Sequence, residues 1–548
     1  MNNGRSTAVT FSTNHSAWEA EDATDLFQRP LFTKPLRLTL RAQSRSVVTL
    51  TLFLCLVFQA AILAEEKGQL GAKGETVIEP RREIPITHRA DVVVIGAAEG
   101  GLGGCTAAVA AARRGASVLL IEEQGYVGLH VPIALGVVVG IPKWRPTMQE
   151  GLFRDFVGYV ARTGQYASEP LTPEEITRRG EIIIRYHDVA STAMLAMMRD
   201  AGVQTLFHAK FVETVVEKNA IKAIIVETPQ GRIAIAGKVF VDSTALAEVA
   251  FKAGAPTIRE EPYMSLQAFL GKVDEPKYLK WLAENKEPLD DSFKKWMEQQ
   301  VGPFEKLKHP WNQWWPEFLG DRFPPAVVRK VRDAQSKGEL KLFHRRGAEG
   351  TLAIVEGIKS RTDIAMPRTY ITGLDPLNAD DVNWAEMTSR LALVEFQRFL
   401  QKHIPGFENC VLERVADTIS LRGGRYIQVD PPITPEQVSG GGTNADCIFV
   451  FSRNDGHVFE VPYRAFVAKD VENLFVVGKA SGGGRVMGQA HCILFQGQAA
   501  GTAAAMCVKE NLTPRKIDIA KLQAALKADG VEIPYPIAPP KAPSEKTK

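Results

Sequence analysis

The stretch from Asp91 to Glu123 constrains this chain most: it reads as strand, glycine-rich turn, helix of small residues, strand and acid. Asp91 to Ile95 is a run of branched apolar residues, the pattern of a strand buried on both faces of a parallel sheet. Glycines at 96, 100, 101, 103 and 104 follow it. They permit a sharp turn and bring bare backbone N–H groups to a ligand, at a helix N-terminus whose partial charge favours anions. The helix, Thr106 to Ala112, has side chains small enough for close packing, and a basic last turn before Gly115 ends it. Ser117 to Ile121 is a second buried strand. Glu122 lies eighteen residues past Gly104, near the spacing at which a carboxylate receives the ribose hydroxyls of a dinucleotide.

The glycine spacing departs from G-x-G-x-x-G at one place. Counted from the strand, Gly96 comes first and Ala98 holds the second position; counted back from Arg114-Gly115, Gly101 and Gly104 hold the second and third. The turn therefore carries three extra residues around Ala97 to Glu99, and Glu99 adds a negative charge there. A turn that packs without a ligand is the competing explanation. Strand, turn, helix, strand and acid together favour a dinucleotide.

With 45% hydrophobic and 24% charged residues over 548 positions, the composition is that of a globular protein of two or three lobes. A formal net charge of +3, with no basic stripe interleaved with aromatics, gives no nucleic-acid signal. Val47 to Ala64 is almost wholly apolar, follows Arg37, Arg41 and Arg45, and ends in small residues. That layout predicts a signal peptide within residues 1–64 and export to a periplasm or cell envelope. An uncleaved run would be a membrane anchor, the one expected membrane contact. The six cysteines show no C-x-x-C, so no metal site is expected.

Residues 65–89 read as a linker and 90–257 as the first part of a nucleotide-binding domain. The apolar loop after Glu123 is expected over the cofactor, residues 171–202 as helix, and Leu206 to Phe240 as a β-meander. Residues 258–465 read as an inserted α+β cap holding the substrate, with Trp281, Trp296, Trp311, Trp314 and Trp315 packing cap to body or stacking on a sugar or aromatic substrate. Residues 466–531 return to the nucleotide fold, and 532–548 form a disordered tail. The expected class is α/β: a Rossmann-like domain with a meander and an inserted cap.

Several separated blocks carry a resemblance: the glycine turn with Glu122, Phe240 to Ala250, Trp384-Ala-Glu386 with Arg390, Ile404 to Asn409, Arg422-Gly-Gly-Arg425, Val461 to Arg464, and Glu472 to Gly478 leading into Gly497 to Gly501. In their order and spacing the chain resembles the FAD-dependent oxidoreductase family, which is similar to the flavoprotein half of heterodisulfide reductase. The resemblance implies that the C-terminal glycine block returns beside the first turn, so that both grip one FAD. Its implied FAD contacts are Gly96, Gly100, Gly101, Gly103, Gly104, Glu122, Phe211, Thr244, Gly478, Arg485, Gly497 and Gly501. The family usually has a paired glycine at Gly128-Leu129, Ala-Thr-Gly at Ser243-Thr244-Ala245 and arginine at Lys479, and each departure crowds a place where backbone meets cofactor.

With FAD bound, hydride or electron transfer needs no protein nucleophile, only groups that steady charge or move a proton. Those candidates are His130, Arg422, Arg425, His457 and Arg464, with Arg485 and His491 beside them. Gly423-Gly424 predicts a tight turn bringing Arg422 and Arg425 to one side, where an ion pair with Glu386 is the competing role. Two functions stand open: an exported FAD-dependent oxidoreductase with a small-molecule substrate and a separate electron acceptor, or an envelope-associated binding protein on a degenerate flavoprotein fold.

Overall fold

The computed structural model describes residues 69–70, 75–97, 101–128, 138–140, 151–162, 181–183, 187–288, 290–292, 295–296, 299, 324–341, 343–345, 352–356, 360–361, 364–365, 367–434, 437, 444–452, 458–488, 490–531 and 533. The chain divides into two units, Met1–Glu83 and Ile84–Lys548. In the first, Gln69–Leu70 pairs antiparallel with Val77–Ile78. The segment expected as a signal peptide, His130, His457, Gly100, Trp311, Trp314, Trp315 and the tail from 534 lie outside the described residues.

The second unit is built on strands β1 (Ile86–Ile95), β2 (Val118–Ile121), β3 (Gln204–Leu206), β4 (Lys210–Glu217), β5 (Ala220–Thr228) and β6 (Gly231–Asp242). Their order across the sheet is β3-β2-β1-β6-β5-β4. The expected meander is β4-β5-β6, whose antiparallel ladder hands β6 over to a parallel pairing with β1. A later strand, β10 (Leu474–Val476), pairs parallel with the end of β6 at Phe240, Val241 and Asp242. Residues more than two hundred positions apart thus end at one sheet edge, where α/β folds bind ligands.

Helix α1 (Leu102–Arg113) is buried at ten successive positions, Leu102 to Ala111, because small residues leave room for a neighbour on nearly every side. One neighbour is α4 (Ala490–Glu510), itself rich in alanine and glycine. At the opposite end of the sheet, Asp91 accepts from Ser117 N and Oγ at 2.9 and 2.7 Å and pairs with Lys238 Nζ at 2.7 Å. Lys238 and Ser117 hold its carboxyl down at about 2, below the unfolded value near 3.9. A depressed carboxylate stabilises the fold above pH 4 and loses that contribution as pH falls toward 2. Asp91→Asn is therefore expected to cost about 1 kcal/mol at pH 7, with the gap to wild type closing between pH 4 and 2 in urea melts.

The cap is an antiparallel sheet in the order 343–345, 352–356, β8 (Arg368–Thr372), β7 (Thr257–Ser265), β9 (Ser420–Ile427), backed by the long helix α3 (Ala379–His403). Trp281 and Trp296 pack against the apolar core of this same region. The hairpin of 447–452 and 458–462 falls inside the span expected as cap, yet Ile448, Phe449 and Val461 join the core around α1 and α4, with Phe449 5.7 Å from Phe495. Within 171–202, described helix covers only His187–Asp200, and Glu181–Ile183 is strand.

Candidate functional site

The N-terminal turn is fixed by backbone geometry. Gly96 has φ +86°, and a Cβ there would lie 2.8 Å from the Ser243 carbonyl oxygen, so both conformation and space require glycine. Gly101 caps α1 with φ +81° and without a side-chain hydrogen bond, and no acid occupies the helix's first turn. A Cβ on Gly104 would collide with the Gly96 carbonyl, and one on Gly103 would meet Ile493 Cγ2 at 2.9 Å. Gly104 thus holds helix to strand while Gly103 admits α4.

Glu122 is 5% exposed and accepts from Ala97 N at 2.6 Å and Gln124 N at 2.8 Å, which orients its carboxylate at the strand end. It lines a cavity of about 80 Å³ with Ile95, Gly96, Phe211, Thr244 and Glu248. Phe211 and Thr244, both expected as cofactor contacts, line this same cavity. Helix α2 (Glu248–Lys252) closes one wall, held by a residue to which the sequence alone assigns no role, Asp242. Burial pushes the Asp242 carboxyl up, while Thr244 Oγ1 at 2.6 Å, Ala250 N at 2.9 Å and Thr244 N at 2.9 Å pull it down. The Thr244 hydroxyl also accepts from Glu248 N at 2.8 Å, so this side chain builds the wall. Ser243 is different: its fully buried hydroxyl has no partner among the described residues. Ser243→Ala is expected to raise stability by about 1 kcal/mol with FAD affinity unchanged; a tenfold loss of FAD affinity would instead make the hydroxyl a ligand contact.

The C-terminal block is clamped by a second residue without a sequence signal. Gln496 is fully buried; its Oε1 accepts from Gly478 N at 2.7 Å, and its Nε2 donates to Met487 O at 2.8 Å and to Cys492 Sγ at 3.2 Å. Gly478, at φ +85°, thus offers close approach to a ligand while its N–H serves the clamp. Burial pushes the Cys492 thiol up to about 12, so it is no nucleophile. Gly497 and Gly501 need correction: a Cβ on either would strike the backbone of α1, at Gly103 and Ala107, so their place is the helix–helix contact. The side chains of Arg485 and His491 lie outside the described residues.

The arginines separate. Residues 420–427 form one strand, and Gly423 and Gly424, both at positive φ, run past a bulge in β7 between Glu260 and Tyr263. The expected tight turn is therefore absent. Arg425 donates from Nε to Leu246 O at 2.7 Å and stacks 4.0 Å from the Phe251 ring, tying β9 to α2. Arg422 turns to the glycine block, its Nη1 3.5 Å from Gly488 O. Glu386 is taken by Arg390 at 2.9 Å and by Ile419 N at 2.7 Å. Arg464 is committed to Asp446 at 2.5 Å and Asn444 at 2.9 Å, a brace beside the 447–462 hairpin and away from the Glu122 cavity.

These residues fit FAD at the adenosine and pyrophosphate end: a glycine turn opening α1 with no acid in its first turn, an oriented carboxylate and a cavity beside it. Among solved structures the chain is similar to a geranylgeranyl bacteriochlorophyll reductase-like protein from Thermoplasma acidophilum, at 15% identity over 81% of this chain and 84% of that one, with a TM-score of 0.38. It is also similar to the myxobacterial chondrochloren halogenase CndH, a variant of FAD-dependent halogenases, at 11% identity over 80% and 78% with a TM-score of 0.40. A p-nitrophenol 4-monooxygenase from Pseudomonas putida matches at 11% identity over 81% and 89%, with a TM-score of 0.37. No curated protein matches the sequence. The family model described as FAD dependent oxidoreductase matches residues 91–526, and the chain belongs to that family.

Proposed function

We propose that this FAD-dependent oxidoreductase is an exported enzyme moving hydride or electrons between a small organic substrate and a separate acceptor. The observation that supports this best is the convergence at one sheet edge of Gly96, Glu122 and Thr244 with the Gly478 block, against which the edge strand of the cap lies. FAD would supply the redox chemistry. The chain's own part is to bind and orient: Glu122 to accept ribose hydroxyls, α1 to face the pyrophosphate with its N-terminus, and Gln496 to hold the Gly478 to Met487 loop. Arg422 is the charged group placed to meet substrate at that loop, whereas Arg425 and Arg464 hold the walls. The arginine-led apolar segment at 47–64 supports export, and N-terminal sequencing from the native host would decide it.

The test of the cofactor is the visible spectrum of protein purified without added flavin, which should show the two bands of an oxidised flavin. Glu122→Ala is expected to weaken FAD by roughly tenfold to a hundredfold, the range of a charge-assisted hydrogen bond, in equilibrium dialysis. Colourless protein that takes up no FAD would overturn the reading.

A further inference from the structure

Helix α3 is apolar on two sides. Ala385, Ala392, Phe396, Phe399 and Leu400 are buried in the cap core, at the spacing of one helix face. The opposite face carries Asp380, Trp384, Met387, Leu391, Val394 and Arg398, in steps of four and three residues, the repeat that lays one seam along a helix. A solvent face is ordinarily polar, yet the four inner positions of this seam are apolar. Met387 is 57% exposed and Leu391 68%. Trp384 packs against the cap core and also lines, with Met387, Thr388, Leu391, Asn383 and Asp380, a groove of about 370 Å³. Single exposed apolar residues are common, but neighbours aligned on one helix face form a patch that a partner covers.

The seam is complementary to itself. Its spacing reads four, three, four, three, four from either end. A second copy of α3 laid antiparallel, about a two-fold axis at the level of Ser389, therefore brings Met387 opposite the partner's Leu391 and Trp384 opposite the partner's Val394. It also brings Asp380 opposite the partner's Arg398, and both of these residues are exposed. The helix dipole accounts for an acid in the first turn; Arg398 stands before the last turn, outside the dipole's reach. A parallel copy would set like charges against each other at both ends, which the antiparallel arrangement avoids.

We propose that the outer face of α3 is the seam of a homodimer, with the two helices antiparallel about that axis, the Met387 and Leu391 contacts at its centre and an Asp380 to Arg398 pair at each end. An isologous contact of this kind closes on itself and stops at two copies. The dimer goes beyond the redox reading of the chain and does not depend on it.

Sedimentation velocity of the purified full chain across the micromolar range should show a monomer–dimer equilibrium. Leu391→Glu should raise the dissociation constant about a hundredfold, because the change falls twice beside the axis. Its exposed position means that the urea midpoint of the monomer should stay at the wild-type value. Asp380→Arg and Arg398→Asp, each alone, place like charges at both ends of the seam and should weaken the dimer roughly tenfold. The two changes together recreate both pairs with the signs exchanged and should restore the wild-type constant, with FAD content unchanged throughout. A monomer at every concentration, an association that Leu391→Glu leaves intact, or a double variant no tighter than either single one would overturn the proposal. So would monomeric protein whose flotation with phospholipid vesicles is lost in Leu391→Glu, a result that assigns the apolar face to a membrane.

Discussion

Gly501→Leu is expected to destabilise the folded chain by about 3 kcal/mol or more, and added FAD will not restore it. Helices α1 and α4 meet backbone to backbone: a Cβ on Gly501 would strike the Ala107 carbonyl, and one on Gly497 the Gly103 carbonyl and the Thr106 hydroxyl. That hydroxyl donates to Leu494 O at 2.9 Å, so the contact also carries a hydrogen bond between the helices. A leucine forces the helices apart, opening the core formed by Leu102, Ala108, Ala500 and Ala504. Backbone cannot retreat into a new rotamer, so the loss exceeds that of an overpacked side-chain core. A ligand at a hundred times its Kd returns only about 2.7 kcal/mol. The measurement is the urea midpoint of the flavin-free protein. An unchanged midpoint with reduced FAD affinity would return Gly501 to the cofactor site.

The contrast between the two glycine blocks shows what a sequence discloses. Around Gly96 the constraint is local: strand, positive φ and helix start follow one another in the chain, so the residue types alone announce the turn and the acid. In α4 the same small residues answer to a partner nearly four hundred positions away, and a glycine kept small for a helix looks like one kept small for a ligand. The Arg422 to Arg425 block shows a related ambiguity. Two glycines permit either a turn or a strand that bends past a bulge in its neighbour, and only the pairing of β9 with β7 selects the strand. It also sends Arg425 to Leu246 and Phe251, leaving Arg422 alone beside the glycine block. Gln496 and Asp242 carry no local signal, since their importance lies in which backbone donors and acceptors meet them in three dimensions.

Gly104→Val is expected to abolish FAD binding and to cost about 3 kcal/mol of stability. Its Cβ would enter the Gly96 carbonyl and stand 3.0 Å from both Ser243 Cβ and Ser243 Oγ, between helix α1 and the ends of β1 and β6. The helix can accommodate valine only by sliding away from the sheet, which carries its N-terminus away from the turn that Gly96 begins. The free backbone donors at a helix N-terminus act within its first turn, so a shift of this kind removes their hold on an anion. Gly104→Ala separates the two effects, because it presents the same first atom with less bulk: stability should fall less than for valine, while FAD affinity should fall at least tenfold. Urea midpoints and FAD dialysis on the same preparations measure both quantities. If Gly104→Ala binds FAD as tightly as wild type, the pyrophosphate does not sit at the start of α1, and the assignment of Gly96, Gly101, Gly103 and Gly104 to the cofactor falls with it.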